Sequence, residues 1–160
     1  MLTIDLQNDN NFFGVPSLQE FEDWVSASLQ SKYDQLEQSI RIVDKAESQT
    51  LNSSYRNSHE PTNVLSFPMS DEELLPYQCL GDLVVCQPVV VQQAKDQNKP
   101  EQAHWAHLII HGMLHLQGYD HNNDAEAAIM ESLEIKILST LGFSNPYTIN
   151  VKKQSTITNI

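Results

Sequence analysis

Three histidines, His111, His115 and His121, have the residue type and spacing to do chemistry. His111 and His115 are four apart, which puts them one turn apart on one face of a helix. Gly118 can take a positive φ and turn the chain back. His121 follows three residues later, so three imidazoles can converge on one point. Three neutral nitrogen donors leave a tetrahedral cation with one open position, as in a catalytic zinc site; a structural site more often has four protein ligands and cysteine thiolates. One Zn2+ per chain is the expected cofactor, and other divalent transition metals suit the same donors.

The spacing His111, His115, Gly118, His121 is that of zinc peptidases of the metzincin type, His-Glu-x-x-His-x-x-Gly-x-x-His. One position departs from it: Gly112 stands where those peptidases carry the glutamate that serves as general base. A peptidase is therefore the alternative reading, weakened by the missing proton acceptor. Glycine costs about 1 kcal/mol relative to alanine inside a helix, so a substrate or a closely packed backbone is expected to use the space. Asp120, beside His121, could orient that imidazole as carboxylates do for metal-bound histidines, or bond backbone in the turn. Asp82 is a weaker candidate for lining the site.

The element carrying the pair belongs in the core. From Ala106 to Leu116 the only polar side chains are His107, His111 and His115, and a helix apolar on nearly every side is buried. Its imidazoles then need partners. His107, one turn before His111, is expected to pack against the ligands or orient them. His104 is expected to be solvated, and His59 lies in a loop without a signal of its own.

Around this helix, alternation predicts strands over Leu2–Leu6, Ser39–Val43, Thr62–Phe67 and Leu80–Cys86. Ser17 opens a capping box, and Phe21, Trp24, Val25 and Leu29 continue a helix to about Tyr33. Ala46–Asn52 reads as a short helix. Pro88 suits the first turn of another that reaches about Gln97. Glu101–Leu116 is the histidine helix. Asn123–Leu141 is the last, with Ala128, Ile129, Leu133, Ile137 and Leu141 on its buried side and Gly142 as its stop. Ser70–Gln78 is an acidic loop. Four strands mixed with about five helices give an α+β or mixed α/β layer fold.

The 160 residues make one domain, expected over 1–147, with a loose tail over 148–160. No apolar run reaches the roughly 20 residues of a membrane span, and the N-terminus lacks the features of a signal peptide. Nine basic against 21 acidic residues give a net charge of -12. That disfavours a general nucleic-acid coat or a binder of anionic membranes but allows a local positive site. Cys79 and Cys86 flank a strand about 23 Å long, too far for a disulfide. Reduced thiols in a cytoplasmic protein are expected.

The block His111-Gly112-Met113-Leu114-His115-Leu116-Gln117-Gly118-Tyr119-Asp120-His121 resembles the signature of the YbeY family of bacterial metal-dependent endoribonucleases, the rRNA maturation factors. Arg41-Ile42-Val43-Asp44, Leu51-Asn52 with Tyr55-Arg56, Pro61–Pro68 and Leu80-Gly81-Asp82 carry the resemblance further. It implies a single α+β domain with a small four-stranded mixed sheet and a zincin-like metal helix. It also implies a cytoplasmic hydrolase that cuts single-stranded RNA in rRNA maturation and ribosome quality control. DNA and membranes are not expected partners; the small ribosomal subunit and its assembly factors are. His111, His115 and His121 match the metal positions, with His111 also counted as catalytic. Arg56 matches an arginine important for activity, and a guanidinium fits two phosphate oxygens at once. A non-catalytic assembly factor that docks basic ribosomal proteins on its acidic surface is the third reading.

Overall fold

Alternating burial builds the sheet. In β2 (Leu36–Val43) the side chains of Leu36, Gln38, Ile40 and Ile42 turn inward while Glu37 is exposed. The computed structural model describes residues 1–69 and 78–148. In chain order the other elements are β1 (Leu2–Gln7), α1 (Leu18–Ser28), α2 (Lys45–Arg56), β3 (Val64–Pro68), β4 (Gly81–Cys86), α3 (Gln87–Asp96), α4 (Glu101–Leu116) and α5 (Asp124–Thr140). The strands form one mixed sheet in the order β1-β2-β4-β3. β1, β2 and β4 run parallel, and β3 is an antiparallel edge strand paired to β4, with Leu65 opposite Val84. This is the expected single α+β domain.

α4 is the hub. It packs against α1, α3, α5 and the strands β3 and β4, and every residue from His104 to Leu114 is buried. The main core lies between this helix, α1 and the inner face of the sheet. Phe21, Trp105, Ile109, Met113 and Leu83 are almost wholly enclosed there. A smaller cluster of Val43, Leu65, Val84 and Cys86 covers the other face, under Leu51 of α2. At Gly112 the helix comes so close to the sheet that a Cβ would lie 2.7 Å from Leu83 Cδ2 and 3.3 Å from Ser66 Oγ. The closely packed sheet is what uses the glycine.

Several boundaries differ from the sequence expectation, each for a tertiary reason. α1 stops at Ser28, short of Tyr33, because the chain end of the helix is held from outside. Gln117 Nε2 donates to Ser28 O at 3.0 Å, and Gln30 N–H donates to Gln117 Oε1 at 2.7 Å. α2 runs on to Arg56, past Asn52, and closes where Asn57 takes a left-handed conformation with φ 56°. On α5 the buried residues are Met130, Glu134, Ile137 and Leu138, whereas Ala128 and Ile129 are exposed. Ile137 is buried and Leu133 and Leu141 pack on the core as expected, but at the start of the helix the inward face carries Met130 and the carboxylate of Glu134 in place of Ala128 and Ile129. Tyr147, the last residue of the expected domain, is anchored by its hydroxyl. The acidic segment 70–77 and the tail residues 149–160 lie outside the described residues. Cys79 and Cys86 are free thiols. Among the described residues no helix is long and apolar enough to cross a membrane.

His104 is not solvated: it is 1% exposed, with Nε2 2.9 Å from Gln93 Oε1. That oxygen also accepts from Asn63 Nδ2, so the His104 Nε2 carries the proton and donates. Burial, followed by the nearby His107 and Lys99, pushes its pKa down to about 3. The neutral ring is the folded form, so the stabilisation is full above the ordinary pKa of 6.5 and is lost as pH falls from there toward 3. With chelator present, His104→Gln should remove about 3 kcal/mol of the wild-type loss between pH 6.5 and pH 4. Urea denaturation across that range checks it; parallel curves for the two proteins would contradict the assignment.

Candidate metal centre

The end of α4 delivers the three histidines. Gly118 adopts φ +99°, a conformation that side chains disfavour. Tyr119 N–H bonds Leu114 O at 3.0 Å and closes the helix. The chain then doubles back, and one ligand atom from each of His111, His115 and His121 lies within 4.8 Å of the other two. Ring centroids are 4.6 Å apart for His111 and His115, 5.0 Å for His115 and His121, and 5.5 Å for His111 and His121. The trio runs from inside to outside: His111 is buried, His115 half-buried and His121 exposed.

The surrounding bonds fix which nitrogens are available. His111 Nδ1 lies 2.5 Å from Glu134 Oε2, and His115 Nδ1 lies 2.9 Å from Tyr119 O. Both acceptors are oxygens, so both Nδ1 atoms carry the proton and both Nε2 atoms keep a lone pair. Burial, followed by the neighbouring His111 and His121, pushes the His115 pKa down to about 4, which keeps it a neutral donor near pH 7. Three convergent imidazoles, two of them turned so that Nε2 is free, suit a divalent transition-metal ion, so the donor set fits.

Glu134 ties this layer together. It has no exposed surface. It accepts from His111, from His107 Nε2 at 3.0 Å, and from the Tyr147 hydroxyl. Burial alone would raise its pKa, but the hydrogen bonds and charge of His107 and His111 outweigh that and hold it at about 2. Sequence reasoning missed this residue. The signal was a carboxylate inside the helical stripe Met130, Glu134, Ile137, Leu138, where a charge has no place unless partners meet it.

The other candidates separate. His107 stands behind His111, ring centroids 6.4 Å apart, bonded to Glu134 and outside the trio. Arg56 ends α2 and lines an open cleft of ≈ 560 Å³ together with the three histidines, Tyr55 and Phe67. Among the described residues no carboxylate pairs with its guanidinium. Asp120 accepts from the backbone N–H of His121 at 2.8 Å and from Asn122, so it shapes the turn rather than orienting an imidazole. Asp82 does not line the cleft: it is exposed and shares the face of β4 that carries Val84, away from α4. Gly112 leaves no room for the peptidase glutamate, because Leu83 fills the position.

Residues 5–142 match the family model described as endoribonuclease YbeY. The chain belongs to this family. Within it, the chain is 52% identical over 147 residues to the endoribonuclease YbeY of Methylococcus capsulatus, which spans 92% of this chain and 96% of the relative. The fold is shared with TM1509 from Thermotoga maritima, whose solution structure aligns with a TM-score of 0.52 at 23% identity, covering 92% of this chain and 99% of that one. The matched span contains Arg56, the three histidines and Glu134.

Replacing Glu134 by alanine would strand two buried imidazole donors and the half-buried Tyr147 hydroxyl. We expect Glu134→Ala to cost about 3–5 kcal/mol of stability in chelator. Glu134→Gln, which keeps an acceptor, should cost less. Urea denaturation of the metal-free chain measures both; a loss below about 1 kcal/mol for alanine would contradict the network.

Proposed function

We propose that the chain is a metal-dependent endoribonuclease that cuts single-stranded RNA, acting in rRNA maturation and ribosome quality control. One observation carries the reading: in a chain of the endoribonuclease YbeY family, a convergent trio of imidazoles shares an open cleft with an arginine. His111, His115 and His121 hold one Zn2+. When bound, the ion polarises a phosphoryl oxygen and acidifies water. Arg56 binds two oxygens of the scissile phosphate through its planar fork and offsets the charge that builds there. Glu134 holds the His111 ring in the tautomer that presents Nε2, and the Tyr119 carbonyl does the same for His115. His107 keeps Glu134 in place from behind.

The chain's charge of -12 does not oppose this. Exposed charges more than about 8–10 Å away are largely screened, whereas groups inside the cleft act at short range. Two free thiols support a reducing compartment, the cytoplasm. The partners that follow are rRNA, the small ribosomal subunit and its assembly factors.

Chelation should abolish cleavage of single-stranded RNA, and Zn2+ should restore it. His111→Ala and His121→Ala should lose both bound zinc and activity. Arg56→Ala should keep its zinc and lose about 100- to 1000-fold in kcat, with Arg56→Lys recovering only part. Metal analysis beside a cleavage assay tests all of these; undiminished cleavage by His111→Ala would overturn the reading. End-group analysis adds the first step: a 2′,3′-cyclic phosphate product means attack by the RNA 2′-hydroxyl, and a 5′-phosphate with a free 3′-hydroxyl means attack by water.

A further inference from the structure

We propose that Tyr55 is a stacking platform for a nucleobase of the RNA strand, beside the phosphate that Arg56 grips; this rests on the endoribonuclease reading. Met1, Phe13, Leu18, Tyr55 and Ile129 are the exposed large apolar residues among those described, and of these Tyr55 alone lines the histidine cleft. It is 68% exposed, so most of its ring is open to the cleft side and to solvent. The ring is also braced. Phe67 of β3 meets it edge to face, with centroids 5.0 Å apart and planes at 70°. Phe67 in turn packs on the cluster of Val43, Leu65 and Val84. An aromatic ring held against the sheet and left uncovered has little conformational freedom to lose when a flat partner settles on it.

Position and charge favour a base as that partner. Tyr55 and Arg56 are consecutive at the end of α2, before Asn57 closes the helix, and both line the cleft. Alternating bases and phosphates of an extended strand can reach both. Arg56 is the sole lysine or arginine among the described residues lining the cleft, and Asp120 stands at its rim. Phosphate attraction is therefore confined to the metal site and one guanidinium. Stacking needs no charge and tolerates any base, which suits an acidic protein that must hold RNA. A base in a duplex is already stacked and paired, so the platform also selects for single strands.

The test is binding and cleavage of a short fluorescein-labelled single-stranded RNA by the zinc-loaded chain and its variants. Tyr55→Leu should raise Kd and KM about 5- to 100-fold, with the loss in KM rather than kcat. Tyr55→Phe should match wild type, because the ring and not the hydroxyl does the work. Zinc content and circular dichroism of Tyr55→Leu should equal those of wild type. An RNA lacking the base next to the cleaved phosphate should bind wild type as weakly as the intact RNA binds Tyr55→Leu, and the two changes together should add nothing. Wild-type Kd in Tyr55→Leu overturns the proposal, as does an equal loss in Tyr55→Phe. In either case wild-type cleavage leaves the endoribonuclease reading standing. No binding or cleavage by wild type overturns that reading and this proposal with it.

Discussion

A carboxylate with no exposed surface lets a histidine-bearing helix run through the middle of this protein. α4 must be buried to support the sheet and three other helices, yet it carries His104, His107 and His111 into the interior. Buried imidazoles left without partners would make the core unstable. Glu134, reaching across from α5, accepts hydrogen bonds from His107, His111 and the Tyr147 hydroxyl. The same bonds that satisfy the core set the tautomer of the innermost histidine of the trio. Stability and readiness to bind a cation have one physical origin here.

Outside that network the cleft is assembled from ends. The last turn of α2 brings Tyr55 and Arg56, the edge strand β3 brings Ser66 and Phe67, and the turn after α4 brings His121. Element ends can place side chains at an opening while the elements themselves stay packed, so the cleft needs no separate loop domain. The negative surface does not conflict with the arginine that lines the cleft, because short-range groups dominate there.

The ligand spacing is shared with metzincin-type peptidases, but the helix is used differently. At Gly112 the helix is pressed onto Leu83, and the space a base would need holds the core. The same histidine spacing therefore has different neighbours: an arginine from α2 that lines the cleft and a carboxylate from α5 behind His111. Metal ligation is set by spacing along one helix and one turn, whereas the chemistry around it is set by what packs against them.

Much of this was legible in the residues. The apolar run with histidines at 111 and 115, the glycine at 118 and the histidine at 121 are local features, and helix geometry converts their spacing into convergence without help from the rest of the chain. The four strands, the histidine helix from Glu101 to Leu116 and the proline-opened α3 followed from periodicity and breakers for the same reason. What needed the tertiary structure were choices between partners distant in sequence. Gln117 ends α1 from almost ninety residues away. His104 looked like a solvated residue near a helix end until Gln93 met it. Asp120, adjacent to a ligand, turned to the backbone, while Glu134, far along the chain, became the carboxylate at His111. Short-range geometry is written in residue order, but which buried donor meets which acceptor depends on how whole helices are laid side by side, and only the packed fold decides that.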